Sequence, residues 1–169
     1  MKRAFSLAEV LITLTIAGVI AMVTIPVITR SFEENQVTLY KSAFKTVESV
    51  ISELTNDINL YPAGNFYYNS TNTLANYFCN NFKDKINVIS TANCDSYTPY
   101  TAPNFTTSNG MRWFGFNNNF STSVANVWVD VDGASKGTST VGTDVLRIYI
   151  TSNGKVYAND STEINYLNN

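Results

Sequence analysis

Histidine is absent from all 169 residues. Serine–histidine and cysteine–histidine nucleophiles, and zinc held by imidazole, are therefore excluded. Charge is also scarce: Asp, Glu, Lys and Arg make up 14% of the chain, against 44% apolar residues, a low share for a soluble protein. The formal net charge of −2 exerts no long-range pull on nucleic acid or acidic lipid, so no nucleic-acid partner is expected. Carboxylates and hydroxyls remain, but no catalytic constellation can be named from them, and the chain is not expected to be an enzyme. Its length allows one domain plus an anchor, not two sizeable domains.

What is present begins with residues 5–29, a stretch of 25 whose only ionisable side chain is Glu9. As a helix it would measure about 37 Å, more than the roughly 30 Å hydrocarbon core of a bilayer. Lys2 and Arg3 precede it and would keep the N-terminus in the cytoplasm by the positive-inside rule. A cleaved secretory signal fits less well, because no A-x-A-like site closes the run. The expectation is a helix that crosses a membrane, with everything after Arg30 outside. Glu9 is costly in such a segment and by default marks function or a partner. Gly18 and Pro26 are expected to loosen the helix, one by weak propensity and the other by a missing donor.

Residues 1–30, MKRAFSLAEVLITLTIAGVIAMVTIPVITR, resemble the N-terminus of type IV pilins and of type II secretion pseudopilins. The likeness rests on a short basic leader, Phe5 followed by Ser6 and Leu7, Glu9 four residues beyond Phe5, and Gly18 and Pro26 within the apolar run. The family usually carries Gly where this chain has Ala4. The resemblance implies that a prepilin peptidase cuts between Ala4 and Phe5 and methylates the new amine. It implies further that the Phe5 ammonium of one subunit meets Glu9 of the next within a filament. A buried pair of that kind would set axial register, since a slip would leave both charges unpaired. The implied protein is a pilin, minor pilin or pseudopilin. Its partners would be copies of itself or related subunits and the inner-membrane assembly machinery. It would sit in a bacterial inner membrane before assembly and in an extracytoplasmic filament afterwards. A monomeric, membrane-anchored binding protein of the same topology is the alternative.

Beyond Arg30, apolar residues recur at Val37, Tyr40, Phe44, Val47, Ile51, Leu54 and Ile58. Steps of three and four predict an amphipathic helix continuing the first over 30–61, ended by Tyr61-Pro62-Ala63-Gly64. Residues 62–169 then form the globular part. A loop-rich segment with one short helix near 74–82 leads to strands at 111–116, 126–132, Val145–Thr151 and 155–158, the last two joined through Asn153-Gly154. The expected fold is therefore α+β: a 1–4 leader, a long N-terminal helix, and about four antiparallel strands packed on its amphipathic half. Trp113 and Trp128 are expected to fill the core rather than to form a stacking platform.

Cys79 and Cys94 are the only cysteines. An even count in a domain expected outside the cytoplasm predicts a disulfide between them. Residues 130–144, DVDGASKGTSTVGTD, place Asp130, Asp132 and Asp144 around a Gly-rich connection between two predicted strands. The favoured reading is that they form turns by binding their own backbone. The competing one makes them calcium ligands, in a loop similar to D-x-[DN]-G…K-G…G-x-D of pseudopilin-like proteins, with EF-hand spacing absent. No other cofactor is expected.

Overall fold

A computed structural model describes residues 7–66, 77–90, 93–95, 102–116, 120, 124–133 and 140–169; within the first helix, the side chains at 23 and 26–33 fall outside the description. The chain divides into two compact units, Met1–Asn35 and Gln36–Asn169.

Helix α1 runs Leu7–Asn56. Its N-terminal portion corrects the sequence-based expectation. Among the described residues no helix is long and apolar enough to cross a membrane. The described part of this stretch is apolar-rich from Leu7 onward. It also contains Glu9, Thr13 and Thr15. The membrane-spanning first half of the expected fold, and with it anchoring in a bacterial inner membrane, are therefore not supported.

In the second unit α1 follows its stripe closely. Tyr40, Phe44, Val47, Ile51 and Leu54 are buried, joined by Ala43 and Val50. Ile58 breaks the pattern at 71% exposed. The helix has already ended, because Asp57 redirects the chain. Its carboxylate accepts the Asn59 N–H at 3.0 Å, and its carbonyl accepts those of Leu60 and Tyr61 at 3.1 and 2.8 Å. Asp and Asn favour such local bonds over helix continuation.

Five strands form one antiparallel sheet in sequence order: β1 (Phe105–Thr106), β2 (Arg112–Phe114), β3 (Val124–Asp130), β4 (Val145–Thr151) and β5 (Val156–Tyr157). The α+β class stands, with one strand more than expected. Alternation sorts the side chains. Trp113, Val127, Val129, Ile148 and Ile150 join the α1 residues in the main core, while Phe114, Trp128 and Val145 form a second cluster. Both tryptophans are buried, and the Trp113 indole N–H donates to Thr107 Oγ1 at 3.1 Å.

The β4–β5 hairpin turns where Asn153-Gly154 predicts it. The Thr151 N–H donates to Lys155 O at 2.9 Å. Gly154 has φ +81°, and a Cβ there would lie 2.8 Å from the Thr55 methyl of α1. Glycine is required twice over, by the turn and by the close approach of the helix.

Short helix α2 (Tyr77–Lys83) buries Phe78, Cys79 and Phe82. Cys79 is joined to Cys94 by a disulfide, with Cα atoms 5.7 Å apart. Beside Cys94, Asn93 exchanges bonds with Asn104: the Asn93 N–H donates to the Asn104 carbonyl, and Asn104 Nδ2 donates to the Asn93 carbonyl, both at 2.7 Å. The bridge thus ties α2 to the segment leading into β1.

A terminal helix, α3 (Ser161–Asn168), was not among the expected elements. It opens with a capping box between Asp160 and Glu163. The D-x-x-E signal was legible in the sequence. Glu163 does more than cap. Arg147 in β4 lies past the end of β5, where its edge-facing backbone groups have no strand to pair with. Glu163 Oε1 accepts the Arg147 N–H at 2.6 Å, and the Tyr40 hydroxyl donates to the Arg147 carbonyl at 2.9 Å. The two helices close an edge that would otherwise invite another strand.

Candidate functional site

The N-terminal unit presents one candidate. Leu7, Val10, Leu11, Ile12, Leu14, Ile16, Val19, Ile20, Met22 and Ile25 are each between 45% and 82% exposed. At 100° per residue these positions cover every side of the helix, not one stripe. The hydroxyls among them are turned inward: Thr13, Thr15 and Thr24 donate to the carbonyls of Glu9, Leu11 and Ile20, at 3.0, 3.1 and 2.9 Å. Such back-bonding hides a polar group from whatever covers the surface. Glu9 stands in the first turn of α1, exposed, where a carboxylate is favoured by the helix dipole. The backbone stays helical through Gly18 and Pro26. A Cβ on Gly18 would meet nothing within 4 Å, so packing inside the chain does not demand glycine there. The Pro26 side chain, and Ala4 and Phe5 at the expected processing point, lie outside the described residues.

The second candidate is the β3–β4 connection. The structure brings Asp130, Asp132 and Asp144 together, with one carboxylate oxygen of each within 4.8 Å of the others. Asp130 is fully buried and Asp144 nearly so. Three of the four carboxylate oxygens of these two residues are already engaged. Asp130 Oδ2 receives Arg112 Nε at 2.9 Å and is also bonded by Arg112 Nη2, while Asp130 Oδ1 accepts the Gly133 N–H at 2.9 Å. Asp144 Oδ1 accepts the Thr140 N–H, and the Asp144 carbonyl accepts the Val131 N–H at 3.0 Å. Gly133 sits at φ +71°, with a notional Cβ 2.3 Å from the Gly110 carbonyl of the β1–β2 turn. No other residue fits there.

The donor set is all oxygen, as calcium prefers, but the guanidinium of Arg112 already supplies a positive charge at Asp130. With that charge in place and backbone N–H groups on both buried carboxylates, the cluster fits a divalent ion poorly. It fits a turn held by its own aspartates. Arg112 was missed in the sequence, since nothing in its spacing from Asp130 announces a cross-strand pair. The pairing appears only in the register Arg112↔Asp130.

Elsewhere burial displaces ionisable groups from their ordinary behaviour. Glu163 is 4% exposed. Desolvation raises its carboxyl pKa, opposed by backbone N–H bonds from Arg147, Asp160 and Asn159. Burial likewise pushes the neighbouring Tyr40 hydroxyl up, keeping it a donor to Arg147.

Comparison with known proteins adds no assignment: no family model matches the chain, and no curated protein or solved structure matches it.

Proposed function

We propose that the chain is a structural subunit of a filament of the type IV pilin class, without enzymatic activity, that assembles through the N-terminal part of α1. The observation carrying this reading is the exposed aliphatic surface between Leu7 and Ile25. A helix apolar on all sides is ordinarily a buried one, and each such side chain gains about 1.5–3 kcal/mol when fully covered. Copies of the same helix, packed side by side, would cover it. The N-terminal likeness to prepilins points to that occupant, with Phe5 as the first residue of the mature subunit after removal of residues 1–4.

Enclosing this surface takes the Glu9 carboxylate out of water, where it needs a cation. The α-amine of Phe5 in a neighbouring copy supplies one of the right sign. Registry follows, because a shifted copy would bury a carboxylate without its ammonium. Glu9→Leu and Ile16→Lys separate the two contributions: the first removes the register charge, the second places a charge in the apolar surface.

The test is sedimentation and electron microscopy of the full chain and both variants. Filaments of the wild type, few from Glu9→Leu and none from Ile16→Lys are expected. Wild-type levels of filament from either variant would overturn the reading. Intact mass of assembled subunits should correspond to residues 5–169 with a methylated amine, and assembled material still carrying 1–4 would remove the processing step.

A further inference from the structure

The sheet face that carries the second core cluster is built by cross-strand rows. Phe114, Trp128 and Arg147 form one row across β2, β3 and β4, and Asn126, Tyr149 and Tyr157 form the next across β3, β4 and β5. The cluster of Phe114, Trp128 and Val145 draws on strands and the residues beside them, with no helix residue in it.

The two arginines on this face differ. Arg112 is ion-paired with Asp130. Arg147 has no carboxylate within ion-pair distance among the described residues; its guanidinium lies 4.0 Å from the Trp128 ring centroid and 5.4 Å from that of Tyr149. Stacking on Trp is the strongest form of cation–π contact and holds the guanidinium fork in one plane. Arg147 Nε is a buried donor, and Asn126 Oδ1 a buried acceptor, without a hydrogen-bond partner among the described residues. Native structures rarely leave such groups unused. Beside them Tyr149 and Tyr157 stack with centroids 5.4 Å apart and planes 22° from parallel, both half-buried.

We infer that this face binds a carboxylate-bearing sugar, with Arg147 taking the carboxylate, the Tyr149–Tyr157 pair lying against the sugar ring, and Asn126 accepting from a hydroxyl. Among the described residues of this face Arg147 is the arginine outside an ion pair, which suits one carboxylate at this position; a polyanion held along its length needs several cations. An acidic sugar also carries hydroxyl donors for Asn126 and a flat C–H face for the tyrosines. The site shares no residue with the assembly surface on the N-terminal part of α1.

The experiment titrates the full chain with trigalacturonate, read by tryptophan fluorescence and by the Arg147 Nε–H resonance. Saturable binding is expected, with galactotriose, its neutral counterpart, weaker by about tenfold or more. Arg147→Lys keeps the charge but not the planar fork, and it should weaken trigalacturonate by about tenfold at an unchanged melting midpoint. Should that variant fail to fold, Tyr157→Ala on the two-residue edge strand carries the same expectation. Lys155→Gln, the nearby cation outside the site, should bind as wild type. Absence of saturation, equal binding of the neutral sugar, wild-type affinity in the folded Arg147→Lys or Tyr157→Ala variant, a loss in Lys155→Gln matching theirs, or tighter binding of tetraglutamate than of trigalacturonate would each overturn the assignment.

Discussion

The two units use the same aliphatic residues to opposite ends. Ile16, Val19 and Ile20 are 55–65% exposed within the chain, while Val47, Val50 and Ile51, in a later stretch of the same helix, are 0–4% exposed. Composition does not separate them. The later stretch spaces its apolar residues in a stripe and has a sheet to cover that stripe, whereas the earlier stretch is apolar all round and finds no cover in its own unit. Amphipathic spacing identifies a helix half-covered by its own fold, and uniform apolarity identifies one whose cover lies outside its own stretch.

The sharpest way to break this comparison is to shorten one side chain in each unit. Leu54→Ala, at a position of zero exposure, should cost about 4 kcal/mol through lost transfer energy and a cavity. Ile16→Ala should change stability, read from the urea midpoint, by no more than about 0.5 kcal/mol, the usual range for exposed positions. Equal losses would mean that the N-terminal surface is covered within the monomer.

Next in size is the disulfide. The bridge closes a separation of 15 residues, and its reduction should destabilise the second unit by about 3 kcal/mol. Urea denaturation with and without reductant measures this, while helicity contributed by the N-terminal stretch should be unaffected.

The Arg112–Asp130 pair comes third. Asp130→Asn removes the charge from a fully buried carboxylate and should cost about 2 kcal/mol, the range of hydrogen bonds to charged groups. If the aspartates hold only a turn, millimolar calcium and a chelator should give the same midpoint. A calcium site of micromolar affinity would instead add about 4 kcal/mol at a thousandfold excess, and Asp130→Asn would abolish that increment.

The smallest effect is one of pH. The folded pKa of Glu163 is raised by burial, so the folded state holds this proton more tightly than the unfolded chain. The contribution is fully present below the ordinary value of 4.5 and is lost as pH rises through the raised folded value. Relative to Glu163→Gln, the wild-type melting midpoint should fall as pH rises through that window. A difference independent of pH would show that the carboxyl titrates as it does in the unfolded chain.

Much of the second unit is legible in the amino-acid sequence. Helical spacing over Tyr40–Leu54 names the buried face of α1, Asn153-Gly154 names the hairpin, and two cysteines name the bridge. Each signal is local or admits few alternatives. Ile58 departs from expectation because one Asp–Asn turn outweighs a continuing period. The two-residue β1 is too short to carry a pattern, and α3 is announced by a capping box without an apolar run behind it. Of the candidate site residues, the three aspartates are found from turn chemistry, while Arg112 and Arg147, which set the electrostatics of their face, are not.

By itself the sequence determined the amphipathic face of α1, the long strands β3 and β4 and the β4–β5 turn, because period and turn chemistry act over a few residues. It also determined the want of any histidine-based chemistry. Tertiary structure alone decided that Arg112 is spent on Asp130 while Arg147 is stacked on Trp128, with no carboxylate at ion-pair distance among the described residues. Strand register brings together residues far apart along the chain, and no local rule encodes which arginine will face which partner.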